Sequence, residues 1–194
     1  IAGQPVKPGE TVPVDHGTAT LNPDGTITFK PEENYKGPAT FDYTVSDGKT
    51  TDTATVSVDV GGINDAPEAQ PDTNVTTEDA TLTVTAANGV IQNAAGKDTD
   101  PDGDTLSVKD ITFGSTTVAV GKEIVGQWGT LTLNADGSYK YVPNEASNAL
   151  DDGESQTDVF TYTVSDPGGL TDTATLTIKV TGSNDGPVAV DDNA

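Results

Sequence analysis

Gly129-Thr130-Leu131-Thr132-Leu133-Asn134-Ala135-Asp136-Gly137-Ser138-Tyr139-Lys140-Tyr141 decides the fold of this chain. Leu131 and Leu133 alternate with threonines before Asp136-Gly137, and Tyr139 and Tyr141 alternate with polar residues after it. Two period-two runs joined by Asp-Gly are the strongest short-range signal for an antiparallel hairpin, because the tight turn needs left-handed backbone that glycine adopts freely.

The hairpin has an earlier copy, Gly17-Thr18-Ala19-Thr20-Leu21-Asn22-Pro23-Asp24-Gly25-Thr26-Ile27-Thr28-Phe29. Other blocks recur in the same order: Phe41–Asp47 as Phe160–Asp166, Thr51–Val56 as Thr171–Leu176, and Asn64-Asp65-Ala66-Pro67 as Asn184-Asp185-Gly186-Pro187. The chain is an internal duplication. Phe160, Tyr162 and Val164 share one face of a strand, as do Ala174, Leu176, Ile178 and Val180. Leu82/Val84, Leu106/Val108, Ile111/Phe113, Val118/Val120 and Leu131/Leu133 add further short alternations. Around seven such strands predict an all-β fold of tandem immunoglobulin- or cadherin-like antiparallel β-sandwiches.

The copies differ in length. Ile1–His16 matches Phe113–Trp128, so nothing in the first copy answers to residues 66–112 of the second. We therefore expect a partial repeat over 1–63 lacking its opening strands, a complete repeat over 64–185, and the first strand of another over 186–194. The expected partners are neighbouring repeats of the same chain, with strand exchange between copies as a further route to filling the gap.

Hydrophobic residues make up only 32% of the chain and aromatics 5%, which suits thin sandwiches better than a broad-cored enzyme. Thirty-one acids against nine bases leave a formal net charge of −22, which makes nucleic acid and anionic membrane poor partners. No apolar run is long enough to cross a membrane, so neither nucleic-acid binding nor membrane insertion is expected. There is no cysteine, which removes disulfides, thiolate zinc sites and cysteine nucleophiles. Such a charge destabilises a compact state unless something neutralises it, and a hard divalent cation does so most economically.

Asp98-Thr99-Asp100-Pro101-Asp102-Gly103-Asp104 carries that chemistry. Carboxylates at alternate positions, with a glycine for the sharp turn, converge on one cation, and calcium takes six to eight oxygens in flexible geometry. An EF-hand is rejected, since Lys109 stands where the closing bidentate Glu belongs and the flanks read as strands. Asn64, Asp65, Glu78, Asp79 and Asp47 are further candidate ligands, with Asn184-Asp185 at the second boundary and Asp166 at the strand end equivalent to Asp47. Glu78-Asp79 is expected just before the first full strand of the second copy. Each is individually an ordinary turn residue; together they point to a junction bridged by Ca2+.

On these residues the chain resembles the cadherin-like and VCBS-type repeats of large RTX adhesins of bacterial biofilms. The carriers are Asp98–Leu106, the Gly129–Tyr141 hairpin, Asp158–Asp166 and the Asn-Asp-x-Pro boundaries. Residues 129–185 look VCBS-like, and 17–67 closer to cadherin-like repeats. The resemblance implies a secreted protein of the bacterial surface, spacer repeats stiffened by calcium, and a calcium set at one junction drawn from Asn64, Asp65, Glu78, Asp98 and Asp100. The full cadherin linker pattern is not present.

Catalysis is not expected: the lone His16 aligns with Trp128, and no nucleophile motif surrounds a serine. The alternative is a ligand-binding adhesin module for glycan or peptide, in which Trp128, Tyr139 and Tyr141 would stack on a sugar. Against it, Tyr139 and Tyr141 alternate as core residues do.

Overall fold

The structure is a computed structural model and describes residues 1–186. All but the first residue of 186–194 therefore lies outside the described residues. The chain divides into two compact units, Ile1–Asn64 and Asp65 onward.

The second unit is a two-sheet sandwich. Its strands are β6 (Asp72–Thr77), β7 (Leu82–Val84), β8 (Ser107–Phe113), β9 (Thr116–Ala119), β10 (Glu123–Val125), β11 (Gly129–Leu133), β12 (Tyr139–Pro143), β13 (Ser155–Ser165) and β14 (Thr171–Thr181). One sheet runs β10-β11-β12-β7, the other β6-β14-β13-β8-β9. The deciding hairpin forms as read, with Leu133 opposite Tyr139, Leu131 opposite Tyr141, and Gly137 left-handed at φ 83°. Leu131, Leu133, Tyr141, Phe160, Tyr162, Val164, Leu176, Ile178 and Val180 are fully buried between the sheets.

Two elements differ from the sequence reading. Leu106/Val108 and Ile111/Phe113 belong to one strand region, not two: Val164 faces Val108 while Thr163 faces Asp110, so Lys109 is an extra, bulged residue. Without the bulge Val108 and Ile111 would lie on opposite faces; with it both reach the core. Glu78 does not precede the first full strand but follows it. β6 escapes the alternation test because its inward residues, Asp72, Asn74 and Thr76, are polar. Its pairing with β14 is the parallel ladder of this sheet among the described residues, Asp72 opposite Leu176 through Thr77 opposite Thr181.

A buried acid ties the sheets together. Asp158 accepts from the Tyr141 hydroxyl (2.8 Å) and from the amides of Gln127 (2.9 Å) and Trp128 (3.1 Å). Gly129 lies flat under the Tyr141 ring, where a Cβ would collide with it.

The first unit holds β1 (Thr11–Val14), β2 (Gly17–Leu21) and β3 (Ile27–Pro31) in one sheet, with β4 (Gly37–Ser46) and β5 (Thr51–Val60) in another. By the duplication these five strands answer to β10 through β14. Nothing in this unit covers β4 and β5 as β6 and β8 cover β14 and β13. Val45, the counterpart of fully buried Val164, is 57% exposed. Tyr43, Val45, Leu21, Ile27, Pro5 and Val6 line the resulting open groove.

Candidate functional site

Two groups of acids in the second unit flank the ends of β6. Ahead of the strand stands the acidic loop. Asp98 is buried, its Oδ1 accepting from the Gln70 amide at 2.7 Å. Asp100 Oδ1 accepts from the amides of Asp102 (2.8 Å) and Asp104 (3.3 Å), which curls the loop around it, with Gly103 left-handed at φ 76°. The other oxygen, Asp100 Oδ2, is buried with no hydrogen-bond partner. Asp102 Oδ2 accepts from the Asp65 amide at 2.7 Å, which draws the start of the unit onto the loop. Asp98, Asp100 and Asp104 line a shared concavity with Lys97 and Ile91.

Beneath the loop one hydroxyl serves too many acceptors. Tyr162 OH lies 2.9 Å from Gln70 O, 2.9 Å from Asp72 Oδ2 and 3.3 Å from both Asp98 oxygens. A phenol donates one hydrogen, so two carboxylates here compete for one donor. Burial pushes Asp72 up to about 6. Burial, with Asp72 and Asp172 as neighbouring charges, pushes Asp98 up to about 7. A cation would relieve both groups.

Past the far end of β6 stand Glu78 and Asp79. Glu78 is only 4% exposed, and its amide donates to Thr181 O at 3.0 Å. Its Oε1 accepts from the Ser183 amide (2.6 Å) and hydroxyl (3.0 Å), while Oε2 is buried and unpartnered. Ser183 Oγ also lies 2.7 Å from Asp79 Oδ2. Carboxylate oxygens of Glu78, Asp79 and Asp185 all lie within 4.8 Å of one another. Among the described residues no lysine forms a salt bridge with Glu78, Asp98 or Asp100. Clustered carboxylates with buried orphan oxygens and no thiol or imidazole beside them fit a hard cation such as calcium.

These positions revise the single-junction grouping read from the sequence. Glu78 and Asp79 assemble with Asp185, whereas the Asp65 amide meets Asp102 of the acidic loop. A six-residue β6 separates the two groups by roughly 20 Å, too far to share an ion. Asn64 closes the first unit. Asp47 is committed to its own turn, accepting from the amides of Lys49 (2.8 Å) and Thr50 (2.7 Å), which hold its carboxyl below the usual range. Asp72 and Ser183 escaped the sequence reading as site residues, and neither had a signal; Asp185 was read with the boundary acids because it repeats Asp65.

The sugar-stacking aromatics fare poorly, since Tyr139 and Tyr141 are both buried in the core.

A family model of the bacterial cadherin-like domain matches residues 64–182, and one of the cadherin-like domain matches residues 9–61. The calcium-binding lectin RapA2 of Rhizobium johnstonii is 38% identical over 73 residues, which is 37% of this chain and 31% of that protein. The chain thus aligns with about a third of that relative's length. Among solved structures, human mucin-like protocadherin EC1-2 superposes with a TM-score of 0.50 at 18% identity, covering 89% of this chain and 81% of that one. At that identity the likeness is one of fold.

Proposed function

The chain belongs to the bacterial cadherin-like domain family, and on that premise we propose that it is a calcium-binding spacer segment of a secreted bacterial surface adhesin. The observation that carries this reading is the pair of buried, unpartnered carboxylate oxygens, Glu78 Oε2 and Asp100 Oδ2, one in each acidic group of the second unit. Leaving such oxygens dry and unpaired is costly, and a cation turns each cost into a ligand bond. In this reading Asp98, Asp100, Asp102 and Asp104 hold calcium at the entry of the unit and Glu78, Asp79 and Asp185 hold it at the exit. Bound calcium fixes the chain where repeats join and makes a string of sandwiches an extended rod that presents a distal binding region. The partners are neighbouring repeats, and strands from one of them fill the open face of the first unit. The name of the rhizobial relative supports the calcium part of this reading.

Thermal melts in excess calcium, magnesium and EDTA test it. Calcium should raise the melting temperature by the equivalent of about 3–4 kcal/mol at concentrations a hundred to a thousand times its Kd, and magnesium far less. Asp100→Ala and Glu78→Gln should each remove part of that rise. Identical melts in calcium and EDTA would leave the acids merely solvated.

The relative's description as a lectin favours a second reading, glycan binding by this segment. Specific retention on a glycan array, unaffected by Asp100→Ala and Glu78→Gln, would select it.

A further inference from the structure

Ser183 holds a place in the exit group that ligand chemistry alone does not explain. Its amide and hydroxyl both reach Glu78 Oε1, and the hydroxyl also reaches Asp79 Oδ2. The amide hydrogen satisfies Glu78 Oε1, which leaves the single hydroxyl hydrogen for its shorter contact, Asp79 Oδ2, so Ser183 occupies one oxygen of each carboxylate. The oxygen left over on Glu78, Oε2, is buried without a partner in a group whose oxygens converge with Asp185. Two like-charged carboxylates would otherwise swing apart, and Asp79 is exposed and has the room to do so. Ser183, bridging them through its amide and its hydroxyl, stands two residues before Asp185, so it also fastens that stretch to the end of β6.

We propose that Ser183 is a positioning residue for a divalent cation at Glu78, Asp79 and Asp185. It sets the two carboxylates and the Asp185 segment in a receiving arrangement before the ion arrives. The inference rests on the calcium reading above. Preorganisation lowers the cost of binding, because less freedom is lost when the ion enters. The side chain sets this boundary apart from the first one in the chain. In the repeated block Gly-x-Asn-Asp, Ser183 answers to Ile63, which has no hydroxyl and is 84% exposed. The first boundary therefore lacks this clamp.

The test is a calcium titration of the full chain followed by amide NMR, with the Asp185 and Gly103 amides reporting the exit group and the acidic loop separately. Ser183→Ala should weaken calcium binding read at Asp185 by roughly three- to tenfold, the weight of one charge-assisted hydrogen bond. Binding read at Gly103 should be unchanged. Ser183→Thr, which keeps the hydroxyl, should restore wild-type affinity to within about twofold. Because the contact forms before the ion arrives, Ser183→Ala should also melt slightly lower in EDTA. The positioning role is read from an additional loss of the calcium-induced rise, which a purely structural role for the hydroxyl would leave unchanged. Equal affinity at Asp185 for wild type and Ser183→Ala overturns the proposal while leaving the calcium reading intact. A wild-type titration that moves neither amide, together with unshifted side-chain carboxylates of Glu78 and Asp79, overturns both.

Discussion

At the scale of single residues, the second unit is governed by how many donors its buried acids can reach. Asp158 has three, and its environment is complete. The first unit shows the same place solved the other way, with Ala39 where Asp158 stands and Phe29 where Tyr141 stands. Acid and phenol are exchanged together, as a mutual dependence requires. Tyr141→Phe should therefore cost about 1–3 kcal/mol in the wild type and much less in an Asp158→Ala background, a coupling that a double-mutant cycle by urea unfolding will measure. Additive losses would mean that the two side chains act independently.

Asp98 and Asp72 present the opposite case, two acids on one hydroxyl. Their folded values, about 7 and about 6, stand above the ordinary 3.8. A carboxyl of that kind holds its proton more tightly when folded. Its contribution to stability is complete below about pH 4 and is lost as the pH climbs through about 6 and 7. In EDTA the melting temperature should fall over that window, and Asp98→Asn should flatten part of the fall. Excess calcium should also flatten it, with the ion taking the place of the proton. A slope in EDTA that Asp98→Asn leaves unaltered would assign it to general charge repulsion instead.

At the scale of elements, legibility followed the alternation of apolar side chains. The Asp136-Gly137 hairpin, β13 and β14 could be read because each places apolar residues at every second position toward one core. β6 could not, because its core-facing side chains are Asp72, Asn74 and Thr76, held by a parallel edge pairing instead of by packing. β8 was read as two pieces because a bulge changes the phase of the alternation, and a bulge leaves no mark in composition. The acidic loop was legible from spacing alone, whereas Glu78 and Asp79 were named as candidate ligands from their place beside a strand and, for Glu78, from the family resemblance. The assignment to separate groups was not legible, because it depends on which end of β6 each flanks. The uncovered sheet of the first unit adds a measurable contrast between equivalent positions. Val164→Thr should cost about 1–3 kcal/mol for burying a hydroxyl, whereas Val45→Thr should stay within about 0.5 kcal/mol. Similar losses at both positions would show that Val45 is covered in solution.

At the scale of the whole molecule, the charge of −22 is unevenly spent. In the second unit, two groups of acids flank β6, where the chain enters and leaves. The outward residues of its larger sheet are mostly threonine and serine, such as Thr161, Thr175 and Thr112. Calcium bound at the ends, as proposed, would therefore neutralise charge where connections are made.

Entry and exit are also joined by the parallel ladder of β6 with β14. β6 begins just after the entry and β14 ends at the exit, and the two lie side by side over six residue pairs. Tension applied between the ends of this unit drags these strands past one another along their length. Their hydrogen bonds are then strained in shear, all at once, and none can be unzipped singly from an end. A thin sandwich with a modest core can in this way resist pulling far better than its equilibrium stability would indicate.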